Sequence, residues 1–150
     1  MPRLDDALKL VYVVDEIVAA DEPMLARLLD AGVSTLWLRM PEARGRRIFE
    51  VAEALRRLTL RHGGALVVGD RADVATAVGA DGVQVGHRAP PPEAIRTQVR
   101  GWLGVSCHDR PALERAVQAG ANYAMLSPVR AVPGKGAPIG REGFRMLRSG

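Results

Sequence analysis

Residues 66–86 constrain the fold of this chain more than any other segment, because they pass from a strand pattern to a helix pattern and back. The apolar run at residues 66–69 is typical of a buried strand, and it ends at the charged pair Asp70-Arg71. Residues 72–78 have the spacing of a short helix, and residues 83–86 begin a second buried strand. This strand–helix–strand unit predicts two parallel strands in an α/β fold.

The same alternation recurs along the chain. Short apolar runs predict six strands, at residues 10–15, 35–39, 66–69, 83–86, 102–105 and 123–127. Helical spacing predicts about six helices, at residues 22–31, 43–61, 72–78, 92–99, 111–119 and 141–148. A glycine between small or β-branched residues ends three of these helices just before a strand, as a left-handed corner requires, in Ala31-Gly32-Val33, Val78-Gly79-Ala80 and Ala119-Gly120-Ala121.

These repeats predict the fold class. Residues 1–150 are expected to form a single α/β domain of parallel (β/α) repeats, like those of a TIM barrel. A closed barrel of eight strands typically takes about 250 residues. Six strands therefore predict either an open sheet or an incomplete barrel that lacks the last two βα units.

Composition narrows the function classes. The net charge of +4 is mostly arginine scattered along helices, and aromatic residues make up only 4% of the chain, so a nucleic-acid surface is not expected. A modest excess of positive charge is consistent with binding of an anionic substrate such as a phosphate ester. No apolar run approaches the roughly 20 residues of a membrane span. Cys107 is the only cysteine, which is typical of a reducing cytoplasm.

Charged side chains follow two predicted strands at their carboxyl ends, where ligands bind in parallel α/β folds. Asp70 and Arg71 end one strand, and Arg39 ends another. A carboxylate is suited to Mg²⁺ or a substrate amine, and arginine is suited to a carboxylate or phosphate. The alternative is a structural salt bridge at the barrel mouth, for example between Asp70 and Arg39.

The main candidate for catalysis is His108, because a neutral imidazole takes and gives protons near pH 7. It follows Ser106 at a strand end, and its alternative role is to cap the next helix. Gln84 lies within a strand, where its amide is suited to a heterocycle or only to its polar neighbours. Alternation along the strand turns Cys107 away from Ser106 and His108, which predicts packing rather than a nucleophile.

The glycine-rich loop around Lys135 is a weaker candidate. Backbone amides beside a lysine suit an anion, although the loop lacks the phosphate-binding consensus ending in Gly-Lys-Ser/Thr and could simply be mobile. No His, Cys, Asp or Glu cluster has the spacing of a zinc site, so no metal site is expected from spacing alone.

With these residues in place, the chain resembles the thiamine-phosphate synthase/TenI family of TIM barrels over nearly all of its length. The segments that carry the resemblance are residues 69–75, 78–86, 104–108, 127–129 and 135–140. In the synthase branch, which joins an aminopyrimidine pyrophosphate to a thiazole phosphate, the resemblance implies Mg²⁺ held by two aspartates. Asp70 matches one of them, and Ala89 stands in place of the other.

Other departures from the synthase pattern favour the TenI branch. Trp37 and Pro41 replace a glutamine and a lysine of that pattern, and Gly69 replaces an asparagine. The resemblance then implies an isomerase that converts a thiazole carboxylate phosphate to its aromatic tautomer, without a metal. His108 would be the acid/base, and the substrate-binding residues would be Arg39, Asp70, Arg71, Gln84, Ser106 and Lys135.

Two alternatives stay open, a Mg²⁺-dependent thiamine-phosphate synthase and a non-catalytic ligand-binding or regulatory remnant of the family. The expected partner is a small thiazole phosphate, with no nucleic acid and no membrane. An incomplete barrel leaves strand edges exposed, so we expect a homo-oligomer, such as a homodimer, that completes or covers it.

Overall fold

The computed structural model describes residues 2–148, which form one curved parallel sheet flanked by helices. The sheet order follows the chain: β1 (Val11–Val14), β2 (Thr35–Leu38), β3 (Ala65–Gly69), β4 (Gly82–Val85), β5 (Trp102–Cys107) and β6 (Tyr123–Leu126). The helices are α1 (Leu4–Ala7), α2 (Glu16–Ala19), α3 (Glu22–Asp30), α4 (Gly45–His62), α5 (Ala72–Val78), α6 (Pro92–Arg96), α7 (Arg110–Gln118) and α8 (Gly140–Arg148). This six-stranded part of a TIM-barrel-like fold confirms the predicted fold class.

Successive side chains of each strand point to opposite faces of the sheet, and this alternation builds two separate hydrophobic cores. One face of the sheet carries branched aliphatic side chains that pack against the helices, among them Leu36, Val68 and Leu103. The concave face carries the residues between them, and there Trp102 and Tyr123 pack with Val67 and Trp37. The concave face is thus the interior of the barrel.

Helix α1 closes the interior at the amino ends of the strands. Leu4 and Ala7 pack with the interior cluster, and the Thr35 hydroxyl donates a buried hydrogen bond of 2.7 Å to the Ala7 carbonyl. The opposite end of the sheet, where the strands end and the loops to the helices begin, stays free of this helix. We call that end the barrel mouth.

The predicted corners are confirmed. Gly32, Gly79 and Gly120 have φ values of 110°, 65° and 73°, in the left-handed region that side chains rarely adopt. Each returns the chain from a helix to the next strand, so these corners set where β2, β4 and β6 begin.

The structure differs from the sequence prediction in its short helices. The helices α1 and α2 were not predicted, because four residues are too few to show a helical period. Helix α6 ends at Arg96 rather than at residue 99. The chain continues in a tighter turn, in which the backbone N–H of Gln98 donates a hydrogen bond to the Ile95 carbonyl three residues earlier. Among residues 2–148, no helix is long and apolar enough to cross a membrane.

Candidate active site

A polar pair lies inside the barrel between β4 and β5. Gln84 is only 1% exposed, and its side-chain amide donates a hydrogen bond of 3.0 Å to the Ser106 hydroxyl. The other end of the same side chain, Oε1, is buried and has no hydrogen-bond partner. Because a buried carbonyl oxygen without a partner costs free energy, this oxygen is suited to accept a hydrogen bond from a ligand or a water.

The interior also holds a hydrogen-bond donor that has no partner. The indole Nε1 of Trp37 is buried without a hydrogen-bond acceptor. Gly69 leaves room for it, since a Cβ on that glycine would lie 3.3 Å from the indole nitrogen. One unpartnered donor and one unpartnered acceptor therefore line the same interior.

Asp70 joins the ends of β3 and β4 at the barrel mouth. Its backbone adopts φ 57°, which is uncommon for a residue with a side chain. Its carboxylate Oδ1 accepts a hydrogen bond of 2.7 Å from the Gly86 amide, and its own amide donates to the Gln84 carbonyl at 2.9 Å. The unusual backbone is thus held by hydrogen bonds from both sides.

The two predicted arginines lie at the same end of the sheet, on different strands. Arg39 is exposed just beyond β2 and makes no ion pair with any of the described residues, so the salt bridge to Asp70 is not formed. Arg71 precedes α5 and donates hydrogen bonds of 2.9 Å and 2.5 Å to the Asp73 carboxylate, which lower the pKa of Asp73. Its guanidinium faces the start of α4, 3.0 Å from where a Cβ on Gly45 would lie.

His108 is exposed beyond β5, and its ring is oriented by the end of β6. The imidazole Nδ1 is hydrogen-bonded to the carbonyl oxygen of Ser127. Since a carbonyl only accepts, Nδ1 carries the hydrogen, and in the neutral ring Nε2 is left as the acceptor. Asp109, rather than His108, caps α7, by accepting a hydrogen bond of 2.8 Å from the Ala112 amide.

Cys107 belongs to the helix-facing core, as alternation along the strand predicts. Its thiol is fully buried, and burial raises its pKa, which disfavours a thiolate nucleophile. Lys135 is exposed in the loop between β6 and α8, and its described contact is a backbone hydrogen bond to Val132. The structure does not bring Lys135 into contact with the other candidate residues.

Sequence reasoning missed an ion pair that bridges two loops of the mouth. The Arg88 guanidinium, after β4, contacts the Glu42 carboxylate, after β2. The pair raises the pKa of Arg88 and lowers that of Glu42, and the nearby Asp70 charge raises the pKa of Arg88 further. Each of the two residues follows a strand within a few positions, as Asp70 does, and this position is the sequence feature that could have identified them as residues of the mouth.

The residues of the mouth do not fit the magnesium site implied by the resemblance. Within residues 2–148 there is no group of three His, Cys, Asp or Glu side chains placed to hold a metal ion. Ala89 supplies no ligand, one carboxylate oxygen of Asp70 is engaged by Gly86, and the cationic Arg88 lies within electrostatic reach of Asp70. A divalent cation would meet a partly engaged Asp70 carboxylate and a Glu42 carboxylate that is already paired with the Arg88 guanidinium, which is a poor site for it.

A groove of about 560 Å³ lies elsewhere, between β6, α7 and α8. Its walls are largely apolar and include Leu113, Val117, Leu126, Phe144 and Leu147. Because Leu126 packs against the helix-facing core, this groove lies outside the barrel interior and away from the polar groups described above.

Comparisons with known proteins point to one family. The family profile described as "Thiamine monophosphate synthase" matches residues 10–149. A "Putative thiamine-phosphate synthase" of Geobacter sulfurreducens is 37% identical over 149 residues, which cover 93% of this chain and 68% of the relative. A "Thiamine-phosphate synthase" of Chloroflexus aurantiacus is 40% identical over 121 residues, which cover 78% of this chain and 56% of the relative.

The fold comparison agrees. The structure of a "Thiamine phosphate pyrophosphorylase" from Pyrococcus furiosus superposes with a TM-score of 0.82 at 28% sequence identity, over 95% of this chain and 70% of that chain. The chain thus spans between about half and three quarters of the length of these relatives.

The expectation of a thiazole isomerase is wrong. Relatives that are 33–40% identical to this chain are named as synthases, which are transferases. The expectation rested on the residues that depart from the synthase pattern, namely Trp37, Pro41, Gly69 and Ala89. With those departures, the chain still matches the thiamine monophosphate synthase family over residues 10–149.

Proposed function

The chain belongs to the thiamine monophosphate synthase family, and we propose that its barrel mouth joins an aminopyrimidine pyrophosphate to a thiazole phosphate. In this reaction the thiazole nitrogen forms a bond to the methylene carbon of the pyrimidine, and the bond from that carbon to the pyrophosphate oxygen breaks. The electron pair leaves with pyrophosphate, and the ring nitrogen becomes positively charged. No proton is consumed or released, so this chemistry needs positioning and charge stabilisation rather than an acid or base.

The unpartnered pair inside the barrel is the observation that carries this proposal. An aminopyrimidine presents an N–H donor beside a ring-nitrogen acceptor. The Gln84 Oε1 is suited to accept from the amino group, and the Trp37 indole is suited to donate to the ring nitrogen. Ser106 fixes the Gln84 side chain through its hydrogen bond of 3.0 Å, so the acceptor is oriented before the ring arrives.

The cations of the mouth suit the phosphate groups. Arg39 has no ion-pair partner among the described residues, and Arg71 lies at the same end of the sheet. Guanidinium groups bind phosphate oxygens in a bidentate manner and stabilise the charge that develops on a leaving pyrophosphate. Lys135 would add a further positive charge if its loop closes over the mouth, and Asp70 keeps the ends of β3 and β4 in place.

His108 has a positioning role in this proposal, in place of the acid/base role expected from the sequence. Its Nδ1–H is held by the Ser127 carbonyl, so in the neutral ring Nε2 is left to accept a hydrogen bond from a substrate. We propose a cytoplasmic location, because the single cysteine is a buried free thiol.

The test is release of pyrophosphate by the purified protein from the two substrates, with each substrate also assayed alone. We expect release only when both are present. Gln84→Leu is expected to lower kcat/KM by about 10–100-fold, because it removes the oriented acceptor. Arg57→Gln, which changes an exposed residue of α4 paired with Glu53, is the matched control and should retain activity.

Release that does not depend on the thiazole phosphate would indicate hydrolysis and would contradict the proposal. Equal activity of Gln84→Leu and Arg57→Gln would show that the interior pair does not bind the reacting ring.

A further inference from the structure

We infer that the barrel mouth binds the pyrophosphate group through the guanidinium of Arg88, without a divalent cation. This inference rests on the proposed function and specifies how the leaving group is held. It starts from the disagreement between the implied magnesium site and the residues that are present.

The position of Arg88 supports this role. Gly86, two residues before it, donates to the Asp70 carboxylate at 2.7 Å, so the segment after β4 is anchored at the end of β3. The Arg88 guanidinium then reaches Glu42, which follows β2. Arg88 thus lies at the carboxyl ends of β2, β3 and β4, the end of the sheet that forms the barrel mouth.

The groups around Arg88 do not form a site for a divalent cation. Magnesium requires six oxygen ligands in near-ideal octahedral geometry. Here one carboxylate oxygen of Asp70 is already engaged by an amide, and the residue after Arg88 is Ala89. The guanidinium of Arg88 already faces both remaining carboxylates, Glu42 by direct contact and Asp70 by its charge, and its own positive charge opposes a divalent cation there.

The Arg88–Glu42 ion pair does not prevent binding. Its side chains are 54% and 81% exposed, and ion pairs between such exposed groups are weak. A pyrophosphate carries more negative charge than a carboxylate and offers a pair of oxygens to the guanidinium fork. A pyrophosphate group can therefore replace Glu42 as the partner of Arg88.

The test is isothermal titration of the whole chain with inorganic pyrophosphate, in EDTA and in magnesium chloride at the same ionic strength. We expect binding in EDTA that is no tighter with magnesium. Arg88→Gln should weaken binding at least about tenfold, the loss expected for a charge-assisted pair. Arg57→Gln removes the same charge from an exposed ion pair on α4 and should change binding less than about twofold, as a surface charge effect does.

A second variant keeps the test independent of folding defects. Glu42→Gln releases Arg88 from its partner and should tighten pyrophosphate binding by about two- to fivefold, the size of a weak exposed ion pair. Weaker binding in Glu42→Gln would contradict the inference. So would binding that appears only with magnesium, or equal losses in Arg88→Gln and Arg57→Gln.

These outcomes separate the inference from the proposed function. If both substrates are joined but pyrophosphate binds only with magnesium, the function stands and the inference fails. If pyrophosphate binds through Arg88 in EDTA but no substrates are joined, the mode of binding stands and the proposed function fails.

Discussion

At the residue scale, Gly104 shows how one missing side chain makes room for the polar interior. A Cβ at this position would lie 2.2 Å from the Tyr123 ring and 2.3 Å from the Gln84 Oε1. Both contacts are far shorter than atoms allow, so neighbouring groups would have to move. The glycine therefore lets a buried ring and a buried amide share the centre of the barrel.

Gly104→Ala is expected to lower the free energy of unfolding by about 1–3 kcal/mol, as overpacking of a core does. Urea denaturation measures this change. The control is Gly136→Ala, where a Cβ would meet nothing within 4 Å and the expected change is within about 0.5 kcal/mol. If the two variants lose equal stability, the interior is not packed as described.

Tyr123 provides a pH-dependent test of the same packing. Burial raises the pKa of its phenol well above the usual value of about 10. Above about pH 10 the unfolded chain loses this proton while the folded chain keeps it, so stability falls as pH rises through that window. The contribution of the buried, protonated phenol to the free energy of unfolding is fully present below about pH 10.

Tyr123→Phe removes this part of the pH dependence. Between pH 9 and pH 11, the variant should lose about 1 kcal/mol less stability than the unchanged protein, since one pKa unit corresponds to about 1.4 kcal/mol. Tyr12→Phe, which removes the other tyrosine hydroxyl of the chain, is the control. Identical losses in Tyr123→Phe and the unchanged protein would show that the phenol is not buried.

Several interior and mouth residues were predictable because strand patterns fix their positions. Alternation along β5 turned Cys107 away from Ser106, and the buried thiol and the hydrogen bond of Ser106 with Gln84 agree. The Arg88–Glu42 contact was not predictable, because it joins two loops that lie 46 residues apart. Side chains that meet across loops leave no periodic signal in the sequence.

At the element scale, one buried ion pair fixes α4 against the sheet. The Asp81 carboxylate, just before β4, is 3% exposed and accepts hydrogen bonds from Arg56 at 2.7 Å and from the Leu66 amide at 2.9 Å. It therefore connects α4 with the starts of β3 and β4. The carboxylate depends on both donors, because water is largely excluded.

Arg56→Leu is expected to cost about 3 kcal/mol of unfolding free energy, because it leaves a buried carboxylate without its charged partner. Arg57→Leu, one residue later, breaks an exposed pair with Glu53 and should cost less than about 1 kcal/mol. Thermal or urea unfolding of both variants measures the difference. A cost for Arg56→Leu as small as for Arg57→Leu would contradict a structural role for the buried pair.

The longest helix was predictable from the sequence, whereas the two shortest were not. Helix α4 has eighteen residues, so its apolar stripe repeats over several turns and its bounds were predicted within two residues. Helices α1 and α2 have four residues each, and their positions depend on contacts rather than on period. Leu4 and Ala7 of α1 are helical where they close the barrel interior, which no local pattern indicates.

At the scale of the whole molecule, the sheet has two outer edges. Among residues 2–148, β1 pairs only with β2 and β6 only with β5. Val13 of β1 is in register with the interior residue Trp37 and is still 46% exposed, so the interior is open on that side. Exposed parallel edges and apolar interior surface are normally covered by association.

We therefore expect the 150-residue chain to self-associate. Sedimentation equilibrium should give a mass that is a multiple of 16.1 kDa at micromolar concentration. Val13→Lys, at the open side of the interior, should shift the distribution toward the single chain, and Leu60→Lys, at an exposed position of α4, is the control. A single species of 16.1 kDa for the unchanged protein would contradict this expectation.

The most direct test of the proposed transfer is detection of the bond that it forms. The purified chain is incubated with the aminopyrimidine pyrophosphate and the thiazole phosphate, and the products are identified by mass spectrometry. The account predicts one product that unites both rings, together with an equal amount of pyrophosphate. Recovery of both substrates unchanged, or of pyrophosphate without the joined product, would contradict it.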